Sequence, residues 1–158
     1  MKFTAILFCL LFTITVKSQT KLFLVAGQSN AVGVGNSDSS IQYQDPACFE
    51  YFTNGTLKPL KDPVGYTPEG EDFQAAVTGS AWPAFADTYH QLSGDSVIIV
   101  QTAKGGTSCH ASADAGAGNW SSSYHLFDQA VDKVFKAEGY TGLQVAGIVW
   151  LQGESDAI

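Results

Sequence analysis

The chain has 158 residues, enough for one domain with a hydrophobic core, and its 45% hydrophobic and 15% charged residues indicate a folded globular protein. Its formal charge of −7 and its lack of arginine argue against a nucleic-acid partner, because a surface that follows phosphates needs basic residues. The same acidity argues against anionic membranes and polyanionic substrates as partners.

Residues 1–18 have the pattern of a secretory signal peptide. Lys2 gives a positive start, and the apolar run over residues 5–16 is too short for an ordinary membrane-spanning helix. Small residues fit cleavage after Ser18, and an uncleaved membrane anchor is the alternative. We therefore expect residues 19–158 to form a domain that is secreted, extracellular or periplasmic, without stable membrane association after cleavage.

The cysteines say little about the fold. Cleavage of the signal removes Cys9 and leaves Cys48 and Cys109. An oxidising compartment permits a disulfide between them, but sequence separation does not reveal the geometry that a bridge needs. Their pairing stays open.

The first strand of the domain is predicted over residues 21–26, an apolar run that stops at Gly27. Ser29 follows it, between Gln28 and Asn30. A residue just past the carboxyl end of a buried strand lies where open α/β sheets bind their ligands. We interpret Ser29 as a nucleophile, and an ordinary polar turn is the competing interpretation of this stretch taken alone.

The next part of the chain is predicted to be mostly loop. A short aromatic strand at residues 49–52 precedes a strong tight-turn signal, Asn54-Gly55. Prolines and glycines then predict a long ordered loop over residues 57–78. The acidic residues in this loop are Glu69, Glu71 and Asp72. Without histidines or further ligands beside them, they indicate a solvated loop face rather than a metal site.

A helix and a strand follow this loop. Apolar residues at helical spacing predict a helix over residues 82–92, with Ser80 as its cap and Gly94-Asp95 at its end. The run SVIIVQTA at residues 96–103 predicts the strongest buried strand of the chain.

A second helix and a third buried strand complete the pattern. Serines at residues 121–123 offer caps for a helix that runs to about Glu138, and Gly139 is expected to stop it. Residues 144–151 predict the strand. The residues assigned to the apolar stripe of the helix are Phe127, Ala130, Val131, Val134 and Phe135.

The three buried strands each lead into a polar turn that contains glycine. Strands that alternate with helices predict a parallel sheet covered on both faces. In a parallel sheet the carboxyl ends of neighbouring strands lie side by side, so these turns are expected to converge. That convergence is the main argument from the residues for a functional site.

The three turns also resemble a known family. GQSNAVG at residues 27–33, KGGTS at 104–108 and WLQGESDA at 150–157 are similar to the blocks of the sialate O-acetylesterase and acetylxylan esterase group. This group is carbohydrate esterase family six, within the SGNH/GDSL hydrolase superfamily. Trp120 and Tyr124 lie where the family often has a tryptophan and a tyrosine. The resemblance implies a flavodoxin-like three-layer α/β/α fold with a parallel sheet and an acetylated carbohydrate substrate. No metal is expected, because no residues have the spacing of metal ligands, and no cofactor is expected, because hydrolysis by serine needs none.

The resemblance assigns roles to individual residues. Ser29 resembles the nucleophile, and its own N–H, an N–H of Gly105 or Gly106, and the amide of Gln152 resemble oxyanion-hole donors. Fixed donors aimed at the developing negative charge on an ester oxygen lower the barrier to attack. The residues that the resemblance assigns to supporting roles are Gln28, Asn30 and Glu154. Whether Glu154 orients a catalytic histidine or holds its loop stays open.

The expected base is missing from this sequence. The family supplies it from an Asp-x-x-His motif near the carboxyl end, and this sequence has no Asp-x-x-His at such a distal position. His90 and His125 are interpreted as surface or hydrogen-bonded residues, and His110, near the second turn, is only a weak substitute. We therefore expect that the carboxyl-terminal part of the domain is absent, which would expose a sheet edge and apolar helix faces. The 158 residues alone are expected to be unstable or inactive.

Two functional hypotheses follow. The first is a secreted carbohydrate O-acetylesterase, represented by its amino-terminal part. The second is a non-catalytic truncated pseudoenzyme or glycan-binding module. A lipase or phospholipase is a weaker third hypothesis, because the sequence shows no apolar lid.

Overall fold

The computed structural model describes residues 18–41, 45–66 and 70–157. Residues 1–17 of the predicted signal peptide, which include Cys9, lie outside these ranges, and so does Glu69. No helix within them is long and apolar enough to cross a membrane.

One five-stranded sheet forms the centre of the domain. The strands are β1 (Thr20–Gly27), β2 (Cys48–Phe52), β3 (Thr56–Pro59), β4 (Ser96–Gln101) and β5 (Val145–Leu151). Their order across the sheet is β3-β2-β4-β1-β5. β1 pairs in parallel with both β4 and β5, β2 is parallel to β4, and β2 and β3 form an antiparallel hairpin. The predicted parallel sheet is confirmed, and its three strongest predicted strands are neighbours.

Helices cover both faces of this sheet. The α-helices are α1 (Ser29–Val32), α2 (Trp82–Ser93) and α3 (His125–Thr141). α2 packs on one face, where Trp82 and Ala86 join a buried cluster with alternate residues of β1 and β4. α3 packs on the other face, where Ala137 contacts a cluster that contains Leu22 and Ile98. Successive strand residues point to opposite faces, so one strand serves both cores, and the predicted three-layer α/β/α fold is confirmed.

Aromatic packing fixes α2 against β1. Phe23 of β1 makes edge-to-face contacts with Phe85 at 5.2 Å and with Tyr89 at 5.0 Å between ring centroids. Such contacts add to the stabilisation that burial of apolar surface provides. They hold the helix over the strand that leads to Ser29.

The stretch predicted as a loop after residue 56 begins with a strand. Gly55 has a φ of 78°, and the Thr56 hydroxyl donates to Asn54 Oδ1 at 2.7 Å, so the predicted turn reverses the chain. β3 then pairs with β2, with Pro59 opposite Phe49. A proline is tolerated there because β3 is an edge strand and its outer side needs no backbone donor.

The cap position predicted for α2 is wrong by one residue, although the Ser80 hydroxyl does accept from the Trp82 N–H, at 3.4 Å. Ala81 is the N-cap residue and makes no side-chain capping bond. The Ser80 hydroxyl donates to the Asp62 carboxylate at 2.6 Å, and the Ser80 N–H donates to the same group at 2.9 Å. The carboxylate holds Ser80 against the preceding loop. At its other end the helix stops at Gly94, which has a φ of 76°.

Both predicted ends of α3 are also wrong. The helix begins at His125 with Tyr124 as its N-cap, and none of the predicted serines caps it. It passes through Gly139 and ends before Gly142, which has a φ of 70°. A glycine inside a helix costs only about 1 kcal/mol, so Gly139 does not stop it, whereas Gly142 provides the left-handed cap.

The stripe that α3 buries overlaps the predicted one only in part, since Ala130 is buried and Val134 packs partly buried against a core cluster. The buried residues are Leu126, Ala130, Lys133 and Ala137. Phe127 is 52% exposed and Phe135 is 65% exposed. Helical spacing from Leu126 selects these positions, and Lys133 is tolerated because it pairs with Glu71 at 3.2 Å.

The third predicted strand is only partly buried. Within the described ranges β5 pairs with β1 alone, on one side. Ile148 is 65% exposed and Trp150 is 45% exposed, so the outward face of β5 is apolar and open. The groove between this face and α3 has a volume of about 570 Å³.

Candidate functional site

The carboxyl ends of β1, β4 and β5 meet, as the sequence predicts. The Gln28 N–H donates to Leu151 O at 3.0 Å, and the Lys104 N–H donates to Gly27 O at 2.9 Å. Gly27 has a φ of 131°, and a Cβ built there would lie 2.0 Å from Leu151 O. Only glycine therefore allows β1 to turn against the end of β5.

Ser29 lies directly after this junction, as the first residue of α1. A Cβ built on Gly105 would lie 3.8 Å from the Ser29 Cβ, so the turn after β4 lies against the serine. No residue in the described part of the chain hydrogen-bonds the Ser29 hydroxyl. The side chain is partly exposed and borders an open cavity of about 320 Å³. The residues that line this cavity are Ser29, Val32, Val34, Gln74, Ala75, Val77 and Gly105.

Gly105 approaches Ser29, but its N–H already has an acceptor. It donates to Gln74 Oε1 at 2.8 Å. Gly106, the alternative donor, is exposed and has a φ of 75°, a conformation that favours glycine. The structure therefore brings Gly105 to Ser29 and places a glutamine oxygen on its N–H.

The amide of Gln152 is engaged in the same way. Its Nε2 donates to Thr107 O at 2.5 Å and to Gln28 Oε1 at 3.0 Å. Gln28 Oε1 also accepts from the Ser155 N–H at 3.2 Å. These bonds join the turns that follow the three strands, and Gln28 lies at their centre.

Two carboxylates fix the loop after β5. Asn30 Nδ2, next to Ser29, donates to Glu154 Oε1. The Asp156 carboxylate accepts from the Cys109 N–H at 2.8 and 2.9 Å. This backbone donor holds the pKa of Asp156 below its ordinary value. Glu154 and Asp156 thus connect the loop after β5 to the turns after β1 and β4.

The Thr107 hydroxyl links residues of the turn after β4. The sequence analysis did not identify this role. It is fully buried. Its hydroxyl donates to Lys104 O at 2.9 Å and accepts from Trp120 Nε1 at 3.1 Å. Trp120 also contacts Trp150 edge to face, with ring centroids 5.0 Å apart. The position of Trp120 within the resembling family was the only signal for this arrangement.

Neither His90 nor His110 reaches Ser29 by a hydrogen bond. His90 Nδ1 lies 2.8 Å from Asp95 O, at the end of α2. His110 Nδ1 accepts from the Ser112 N–H at 3.1 Å. Both rings are therefore engaged locally within the described part of the chain.

The third histidine, His125, pairs with Asp72. Its Nε2 contacts Asp72 Oδ2, and Lys104 Nζ lies 3.7 Å from Asp72 Oδ1. Desolvation raises the pKa of the Asp72 carboxyl, but the hydrogen bond from His125 and the charge of Lys104 outweigh it and leave the pKa below its ordinary value. Lys104 precedes Gly105 in the chain, and His125 is engaged by Asp72 rather than by Ser29.

The acidic loop residues that the structure describes are used in pairing. Glu71 pairs with Lys133 and Asp72 with His125 and Lys104. Within residues 18–41, 45–66 and 70–157, no group of three or more His, Cys, Asp or Glu side chains could hold a metal ion.

The comparisons with known proteins identify the family. The family described as carbohydrate esterase, sialic acid-specific acetylesterase, matches residues 19–158. The chain belongs to this family. The resemblance drawn from the three motifs is thereby confirmed. No curated protein matches the chain.

Solved structures share the fold. A protein from Arabidopsis thaliana superposes with a TM-score of 0.70 at 18% identity, over 90% of this chain and 60% of that one. NanS superposes with a TM-score of 0.61 at 20% identity, over 89% of this chain and 56% of that one. The chain therefore spans less than two thirds of the length of either structure.

Proposed function

We propose that this chain carries the nucleophile of a secreted carbohydrate O-acetylesterase, a serine hydrolase that releases acetate from acetylated sugars. One observation carries the proposal within the esterase family. Ser29 lies at the junction of three strand ends, against Gly105, with a hydroxyl that no described residue hydrogen-bonds. A nucleophile needs this kind of accessible position at the edge of a cavity.

The reaction would proceed through an acetyl-enzyme. Ser29 Oγ attacks the ester carbonyl carbon while a base takes the hydroxyl proton. The bond to the sugar oxygen then breaks, and that oxygen receives the proton. Water hydrolyses the acetyl-serine in the same manner, so serine is regenerated and acetate leaves.

The negative charge on the carbonyl oxygen requires donors at this site. The N–H groups of Ser29 and Gly105 or Gly106 are suited to it, and so is the amide of Gln152. Each such donor lowers the activation barrier by about 3–4 kcal/mol. The Gly105 N–H and the Gln152 amide donate to acceptors within the protein. To stabilise the substrate oxygen, each must break that hydrogen bond and form one to the substrate.

The base is proposed to come from outside residues 1–158. His90, His110 and His125 each bind another group, and the family resemblance implies a later Asp-x-x-His motif. We expect the 158 residues alone to hydrolyse esters poorly for this reason. Secretion is likewise a proposal, and sequencing of the amino terminus of the exported protein would locate the cleavage site after Ser18.

Acetate release from an O-acetylated sialic acid tests the function, with acetylated xylan as the second substrate. The full gene product is compared with its Ser29→Ala variant and with Ser93→Ala, a matched change at the exposed end of α2. We expect Ser29→Ala to lower kcat by about 10³-fold or more and Ser93→Ala to leave it unchanged. Full activity in Ser29→Ala would exclude the proposal.

A glycan-binding module without catalysis is the second candidate. It is favoured by one observation, that each histidine of the chain and two of the proposed donors are occupied by internal partners. This candidate predicts that acetylated glycan binds with equal affinity to the natural protein and Ser29→Ala, and that neither releases acetate.

A further inference from the structure

Gln74 places an oxygen on the Gly105 N–H, one of the donors proposed for the substrate oxygen. Its side-chain Oε1 accepts from the Gly105 N–H at 2.8 Å, in the cavity that Ser29 borders. An ester carbonyl attacked by Ser29 needs donors within this same reach. The amide oxygen of Gln74 thus resembles the group that the Gly105 N–H would stabilise.

The backbone of Gln74 is fixed, whereas its side chain is exposed. The Gln74 N–H donates to Ala103 O at 2.9 Å, and Gln74 O accepts from Gln101 Nε2 at 2.8 Å. The segment is therefore held beside the end of β4. Rotation about the side-chain bonds of an exposed glutamine takes place without any change in the backbone.

The rest of the cavity is apolar. Val32, Val34, Ala75 and Val77 line it beside Ser29. A small acyl methyl group fits such a lining, and its carbonyl oxygen would then compete with Gln74 for Gly105.

We propose that Gln74 is a displaceable cap on the Gly105 N–H, which satisfies this donor in the free protein and gives way to the carbonyl oxygen of the acyl group. The proposal rests on the proposed function for its substrate. Gln74 Oε1 and the acyl oxygen compete for the Gly105 N–H. This competition can be measured as a binding affinity, without catalytic turnover. Gln74 is accordingly a positioning residue that sets the affinity of the site for acyl oxygens.

Acetate is the probe, titrated into the 15N-labelled natural protein while the Gly105 amide signal is followed. Gln74→Ala removes the competitor, and Gln74→Met does the same while it keeps the apolar part of the side chain. We expect acetate to bind these variants about two- to tenfold more tightly, the range that one net hydrogen bond provides. In the absence of acetate, the Gly105 amide proton should shift upfield in both variants.

Gln74→Glu is expected to act in the opposite direction. Its carboxylate would accept more strongly from Gly105 and repel acetate, so acetate should bind more weakly at neutral pH. Gln91→Ala on the surface of α2 is the matched control and should change nothing at Gly105.

The results separate the two proposals. Equal acetate affinities in the natural protein and in both Gln74→Ala and Gln74→Met, or no response of Gly105, would overturn the role of Gln74. Acetate release that survives Ser29→Ala would overturn the esterase proposal. The acetate titration would still test the role of Gln74, because it measures binding at Gly105 and needs no turnover. If both proposals hold, Gln74→Ala should also raise kcat/KM for acetyl esters by about two- to tenfold.

Discussion

The amide nitrogen of Gln152 donates to Gln28 Oε1 at 3.0 Å, so the loop after β5 is bound to the residue that precedes Ser29. The same nitrogen donates to Thr107 O at 2.5 Å, in the turn after β4. One side chain therefore connects all three turns. We expect this connection to help fix the position of Ser29 relative to Gly105.

Gln152→Glu should loosen the connection. The substitution places a carboxylate oxygen against two acceptors that now receive hydrogen bonds. We expect the free energy of unfolding to fall by about 1–3 kcal/mol in urea titrations. Gln91→Glu, an exposed change on α2, should alter it by no more than about 0.5 kcal/mol. Equal effects of the two substitutions would show that Gln152 does not join the turns.

Two Gly→Ala substitutions should have opposite signs. At Gly27 a Cβ would lie 2.0 Å from Leu151 O, so the substitution should destabilise the protein by about 3 kcal/mol or more. At Gly139, inside α3, a Cβ would meet nothing within 4 Å, and the substitution should stabilise by about 0.5–1 kcal/mol. Thermal unfolding of both variants tests this, and a stable Gly27→Ala variant would refute the described junction.

The two cysteines of the domain should react at different rates. Cys48 is buried and Cys109 is exposed, and neither forms a disulfide. Desolvation, with the charges of Asp45 and Asp87, raises the pKa of the Cys48 thiol to about 12. A thiol reagent should therefore modify Cys109 first in the native protein, and Cys109→Ser should abolish that phase. Equal reaction at both sites before unfolding would contradict this burial.

The contact between Asp156 and Cys109 should depend on pH. The Cys109 N–H lowers the pKa of Asp156, so the stability that this carboxylate contributes is complete above the ordinary Asp pKa of about 3.9. That stability is lost as the pH falls through the lowered pKa that Asp156 has in the folded protein. The Cys109 amide signal should follow this loss with a midpoint below about 3.9, and Asp156→Asn should abolish the titration. A midpoint above that value would contradict the contact.

The sheet and the meeting of its strand ends were predictable because they follow from continuous apolar runs and glycine-containing turns. The runs at residues 21–26, 96–103 and 144–151 are apolar enough to identify strands without tertiary information, although the third strand is only partly buried. Their parallel arrangement followed from the intervening helices. The position of Ser29 after the first strand was therefore a consequence of the local sequence.

The limits and buried face of α3 were not predictable in this way. Serines at residues 121–123 have the chemistry of caps, but the helix starts at His125, and the Ser121 hydroxyl donates to Asn119 Oδ1 instead. The exposed Phe127 and Phe135 carry the apolar signal in the sequence, whereas Lys133 is buried through its pairing with Glu71. Whether such a residue is buried depends on its partner elsewhere in the fold. The helical periodicity of the sequence does not reveal that partner.

The contact between Gln74 and Gly105 joins residues 31 positions apart. Gln74 belongs to a loop rich in proline and glycine, and no motif marks it. Its role depends on where the loop returns to the end of β4, which local propensity does not determine. The motifs thus indicated Ser29 and Gly105. The structure shows in addition that the Gly105 N–H donates to Gln74 Oε1.

Reaction of the full gene product with a fluorophosphonate, followed by peptide mass mapping, tests most directly whether Ser29 is the nucleophile. We predict one adduct in the native protein, on Ser29, which is absent from Ser29→Ala and from unfolded protein. An adduct on another serine, or acetate release by Ser29→Ala at the natural rate, would contradict it.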